Sequence, residues 1–129
     1  MPISHVVTLK VVGSGVSISK DVALTGGSAI IVDESIPDSS TDLEVLFELD
    51  VSTVQSIFIT SDSAVTLETN SGSTPDDTIV LVANQPVLWY VGSSLVNPLT
   101  VDITTNIFVT NASGSAARLQ IIALYDPTP

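Results

Sequence analysis

Hydrophobic and polar residues alternate with a period of two along most of this chain. The clearest run covers residues 41–49, where Leu43, Val45, Phe47 and Leu49 share one parity. Asp42, Glu44 and Glu48 take the other parity, and Leu46 is the exception. That alternation predicts a strand with one face buried. Similar runs cover 55–61 and 64–69, and Asp62-Ser63 between them predicts a hairpin with a short turn. Residues 78–83 are apolar at both parities, which predicts a central strand covered on both faces. Residues 86–91 predict a strand opened by a proline, a position suited to an edge. Strands over 105–110 and 116–125 follow, around the turn Asn111-Ala112-Ser113-Gly114. In the first third, a strand over 5–12 leads through Gly13-Ser14-Gly15 to a kinked strand over 16–24. Gly26-Gly27 breaks it, and a strand over 29–33 resumes.

No helix is predicted, because straight-chain helix formers are scarce while Val, Ile and Thr dominate. Nine or ten short strands with turns every 8–12 residues predict one domain over 1–129. Its expected class is all-β: an antiparallel β-sandwich, jelly-roll-like, of eight to ten strands. A weak internal echo points the same way. Ile57-Phe58-Ile59-Thr60-Ser61 matches Ile107-Phe108-Val109-Thr110-Asn111 at an offset of 50, each followed by a turn and an alternating strand. Two equivalent hairpins in opposite halves suit a Greek-key pair, and chance similarity between β-rich hairpins produces the same pattern.

Charge narrows the partners. Fourteen acidic residues face three basic ones, Lys10, Lys20 and Arg118, for a net charge of −11. Nucleic-acid binding neutralises phosphates with Lys and Arg, and three scattered cations build no such patch. An anionic membrane surface is disfavoured on the same ground. Only 13% of residues are charged while 44% are hydrophobic, so the chain should fold rather than stay disordered. Ser and Thr, about a quarter of the residues, must supply most of the polar surface. A surface so poor in charge suits burial between copies, and a homo-oligomer is expected. A monomer with a hydroxyl-rich surface is the alternative. The first residues carry no basic segment followed by an apolar stretch, which predicts synthesis in a cytoplasm.

Candidate chemistry is sparse. The absence of cysteine excludes disulfides and thiolate metal sites. His5 is the only imidazole a catalytic triad could use, and its parity with Val7, Leu9 and Val11 suits a strand-end histidine instead. Gly13-Ser14-Gly15 has the spacing of neither a nucleophile elbow nor a dinucleotide loop. Asp33, Glu34, Asp38, Asp42, Asp76 and Asp77 fall at strand ends or in loops, where paired carboxylates could hydrolyse a glycoside. Six aromatics in all are few for a sugar cleft, and no catalytic residue is assigned. The acidic segment 33–42 could hold a calcium ion but lacks the EF-hand spacing, so a solvated loop is the plainer reading. No metal or cofactor is expected. Asn111-Ala112-Ser113 has the form of a glycosylation acceptor, although Asn and Gly there also suit a plain turn. Trp89 and Tyr90 are adjacent in a strand and face opposite sides. With Leu95, Val96 and Pro98 in the loop that follows, they form the candidate interface, aromatic anchors being typical of such surfaces. The same loop folded back over the end of the sandwich is the alternative.

Residues 33–50, 57–81, 88–99 and 107–129, including DESIPDSSTDLEVLFELD and LWYVGSSLVNPL, resemble small proteins encoded with the virion genes of tailed phages and prophages. The likeness covers about two-thirds of the chain and lies in texture and short phrases, with no site residues to carry over. It implies a non-enzymatic virion structural protein on the capsid surface. The expected role is an oligomeric decoration or cement subunit bound to the major capsid protein. A tail, fibre or head–tail junction module, or a glycan-binding β-sandwich, is the alternative.

Overall fold

The structure is a computed structural model that describes residues 2–127. Its ten strands are β1 (Ile3–Gly13), β2 (Val16–Gly26), β3 (Ser28–Ile36), β4 (Ser40–Val45), β5 (Val54–Ser61), β6 (Val65–Thr69), β7 (Thr78–Leu81), β8 (Val87–Tyr90), β9 (Ile107–Asn111) and β10 (Ala117–Tyr125). A single 3-10 turn, Val51–Thr53, is capped by the Asp50 carboxylate, which accepts from the Ser52 N–H. Among the described residues there is no α-helix.

Eight strands form two antiparallel sheets, ordered β3-β10-β5-β8 and β4-β9-β6-β7. The chain passes from one sheet to the other at nearly every turn, and only β6 and β7 are consecutive neighbours within a sheet. This is a β-sandwich in jelly-roll order, two interlocked Greek keys. The remaining two strands, β1 and β2, pair only with each other and stand apart as a hairpin.

Alternation builds the core. Val32, Ile121, Ile59 and Val87 lie opposite one another across the first sheet, and Ile30, Ala123, Ile57 and Trp89 form the next row. Val109, Leu67 and Ile79 make the matching row of the second sheet. These side chains meet in one cluster, closed at one end by Phe47, Leu49, Leu99 and Ile103. Leu49 and Ile103 exchange backbone hydrogen bonds of 2.9 Å, which ties the loop after β4 to the loop before β9.

Four expectations are corrected. Segments 55–61 and 64–69 are not a hairpin: β5 and β6 lie in different sheets, and Asp62-Ser63 is a corner between them. Segments 105–110 and 116–125 are likewise split between sheets. A short polar turn serves a hairpin and a corner alike; here the strand that follows pairs within the other sheet. Segment 78–83 is not a central strand. β7 is the edge of its sheet, with Val80 and Val82 exposed to solvent. The run 41–49 also stops pairing at Val45, although Phe47 and Leu49 keep the inward parity and are buried.

Candidate interaction surface

The β1–β2 hairpin pairs eleven residues with eleven, from Ile3 opposite Gly26 to Gly13 opposite Val16. Ser14 and Gly15 close it, both with positive φ (53° and 77°), the requirement of a type I′ turn that matches strand twist. At ~3.4 Å per residue it is an arm of roughly 35 Å. Directly opposed residues of an antiparallel pair share a face. One face of the arm therefore carries Ile3, His5, Val7, Leu9 and Val11 with Leu24, Val22, Lys20, Ile18 and Val16. The other carries Ser4, Thr8 and Lys10 with Thr25, Asp21, Ser19 and Ser17, and only Val6, Val12 and Ala23 are apolar there. The arm is amphipathic.

Only its root is covered. Leu24 is 7% exposed, and Gly26 lies so close to β10 that a Cβ there would sit 2.6 Å from the Tyr125 carbonyl oxygen. The Gly27 N–H donates to that same carbonyl at 3.0 Å. Leu124, on the outward parity of β10, is fully buried beneath this junction, as is most of Ser56 opposite it. Beyond the root the cover ends. Every residue from 10 to 21 is exposed, and Val11 and Ile18 on the apolar face are 73% and 70% exposed.

Below the arm lies a second uncovered apolar feature. Ile31, Ile122, Phe58 and Leu88 stand opposite one another on β3, β10, β5 and β8, a row across the outer face of the whole sheet. Ile31 is 71% exposed, Ile122 and Phe58 about 40%. Residues 4–8 of β1 face this row across a cleft of about 540 Å³. The outer face of the opposite sheet has different chemistry: Glu44, Phe108, Glu68 and Thr78 form its row, with Asp42 nearby. Burial and the neighbouring Asp42 carboxylate push the Glu68 carboxyl above its usual range. One outer face carries an apolar row beside the exposed Asp33–Arg118 pair, and the other carries an acidic row.

The carboxylates singled out in the sequence serve mostly as acceptors that fasten loops. Asp38 accepts from the Gly114 N–H at 3.1 Å, and Asp62 from the Arg118 N–H at 2.8 Å. Asp77 takes the Thr100 N–H (2.8 Å), the Thr100 hydroxyl (2.7 Å) and the Val101 N–H (3.2 Å). Asp76 accepts from the Asn70 amide at 2.7 Å, and Asp42 from the Thr110 hydroxyl at 3.3 Å. Asp33 is paired with Arg118 at 2.7 Å, whose guanidinium holds its carboxyl below the usual range. Three acids of segment 33–42, Asp33, Asp38 and Asp42, thus go to separate partners. Among the described residues no three His or acidic side chains converge where a metal ion could be held. Asn111 is fully buried, its amide donating to the Ile36 and Ser115 carbonyls, so it is a structural tie rather than an exposed acceptor for a glycan. His5 lines the cleft under the arm.

The structure distributes the candidate interface. Trp89 packs against the core, and Tyr90 points to the opposite face of β8, across from Ser56. Leu95 and Val96 are exposed in the loop after β8, Pro98 is half-buried, and Leu99 after it joins the core. The two strands of the arm and the turn between them are legible in the sequence, but not their standing apart from the sandwich, nor the outer row. Two signals pointed to the arm: its paired runs are about twice the usual strand length, and two of the three cations sit at its tip. No family model, no curated protein and no solved structure matches the chain.

Proposed function

We propose that this chain is a non-enzymatic structural subunit of a phage particle, a decoration subunit bound to the capsid surface. The observation that carries the reading is the arm: an apolar strand face that continues past the sandwich from which it springs. Contiguous exposed apolar surface marks a contact site in a folded protein. A rigid sandwich with a projecting clasp suits a part whose work is to hold neighbours. The engagement of the loop carboxylates as backbone acceptors supports a structural role for the acidic residues. The major capsid protein is the proposed partner outside the chain itself.

The test is peptide mapping of purified particles made by the genome that encodes the chain, with quantitation against the major capsid protein. A copy number of the same order as the shell protein supports the reading. A few copies per particle would move the chain to the tail or head–tail junction, and absence from particles overturns the proposal.

A further inference from the structure

We infer that the arm is a clasp between copies of this chain, its apolar tip seating in the cleft between the arm and the outer row of a second molecule. Three observations choose that occupant. The tip presents Val11, Val16 and Ile18 on one face with nothing of its own body against them. The chain also holds a receiving surface of matching character, the row Ile31, Ile122, Phe58 and Leu88 with its open cleft. Charge divides along the same line. The arm carries Lys10, Lys20 and Asp21, a net side-chain charge of +1, so the −11 of the whole chain leaves −12 on the body. The arm is the one part of the molecule that the field of another body attracts. A molecule offering one tip and one cleft associates as a reciprocal two-fold pair, or head to tail as a ring or an open chain of copies.

The inference deepens the proposed shell role but fails separately from it: a chain found in particles yet unlinked to its copies keeps the role and loses the clasp. The lack of cysteine allows a clean test. Ile18→Cys and Phe58→Cys are prepared as separate full-length variants, mixed one to one and oxidised mildly. A disulfide joining the two variants, in several-fold excess over the homodimer of either, is expected. Equal homodimers, or no cross-link, overturns the clasp. Light scattering gives a second reading on the variant pairs Val16→Asp/Ile18→Asp and Phe58→Asp/Ile122→Asp. Each alone should run at 13.4 kDa while wild type is at least twice that. Their mixture should regain association, because each supplies what the other lost. A monomeric wild type, or variants that do not complement, overturns the inference, and the unaltered circular dichroism of the exposed-tip variant guards against unfolding as a cause.

Discussion

Asn111 sits fully buried at the end of β9 and reaches across to the other sheet, donating to the Ile36 carbonyl at 3.0 Å while its side-chain oxygen accepts from the Ser113 N–H and hydroxyl. It joins β3 to β9 and shapes the corner into β10. Replacing it with Ala leaves these buried groups unpaired, which costs about 1–3 kcal/mol for each such group. Asn111→Ala should lower the urea midpoint accordingly, with the slope of the transition unchanged. Glu68 makes the opposite kind of contribution. Its carboxyl is raised by burial and by Asp42, and an acid whose folded pKa exceeds its unfolded one opposes folding wherever both states are ionised. That opposition fades as pH falls through the raised folded value. Glu68→Gln should therefore raise Tm at neutral pH, with the gain vanishing below the ordinary carboxylate range. A gain that persisted in acid would assign the effect to something other than charge.

At the scale of elements, the arm has two parts with different mechanical standing. Its root is packed so closely on β10 that a methyl at Gly26 collides with the Tyr125 carbonyl. Gly26→Ala should cost about 1–3 kcal/mol, the usual range for overpacking, with faster amide exchange concentrated at the root and at the end of β10. The tip touches nothing of the body. Shortening the arm by replacing residues 10–19 with an Asn-Gly turn should leave the unfolding free energy of the sandwich within about 0.5 kcal/mol, as for other surface changes. The same division explains what the sequence discloses. Alternation marks each strand, because inward and outward positions differ in solvation. It does not say which sheet the next strand joins, since a corner and a hairpin turn use the same short polar residues. The echo at 57–61 and 107–111 shows this well. Both segments alternate buried and less buried residues, and both end in a buried polar residue, Ser61 or Asn111, that bonds into the next turn. Both then cross to the other sheet. Val80 and Val82 misled for a related reason, as an apolar side chain on a strand does not record whether anything covers it. Val11, Val16 and Ile18 read equally well as core, and only the pairing of β1 with β2 alone makes them surface.

The whole molecule is polarised. Its arm is weakly positive, one outer face carries an apolar row, and most of the acids lie on the other outer face and in the loops. Two bodies of −12 repel at long range, whereas the arm attracts at short range. Salt separates the two, because the Debye length shrinks from ~30 Å at 0.01 M to ~10 Å at 0.1 M. Association of copies should be weakest at low ionic strength and tighten severalfold towards about 0.1 M as body–body repulsion is screened. Lys10→Glu/Lys20→Glu should weaken it at every salt concentration in sedimentation equilibrium.

The pairing of β3 with β10 closes the sandwich across nearly its full length in sequence, from residue 28 to residue 125. The arm, by contrast, is a hairpin of neighbours. Hairpins form in about 1–10 μs, while pairings between distant strands take on the order of milliseconds to seconds. Synthesis also delivers the arm before β10. The gripping element is therefore complete while the surface meant to receive it is still being made, and that surface appears only when β10 slots between β3 and β5. Assembly is timed by the arrival of β10, so that only molecules whose sandwich has closed can be held.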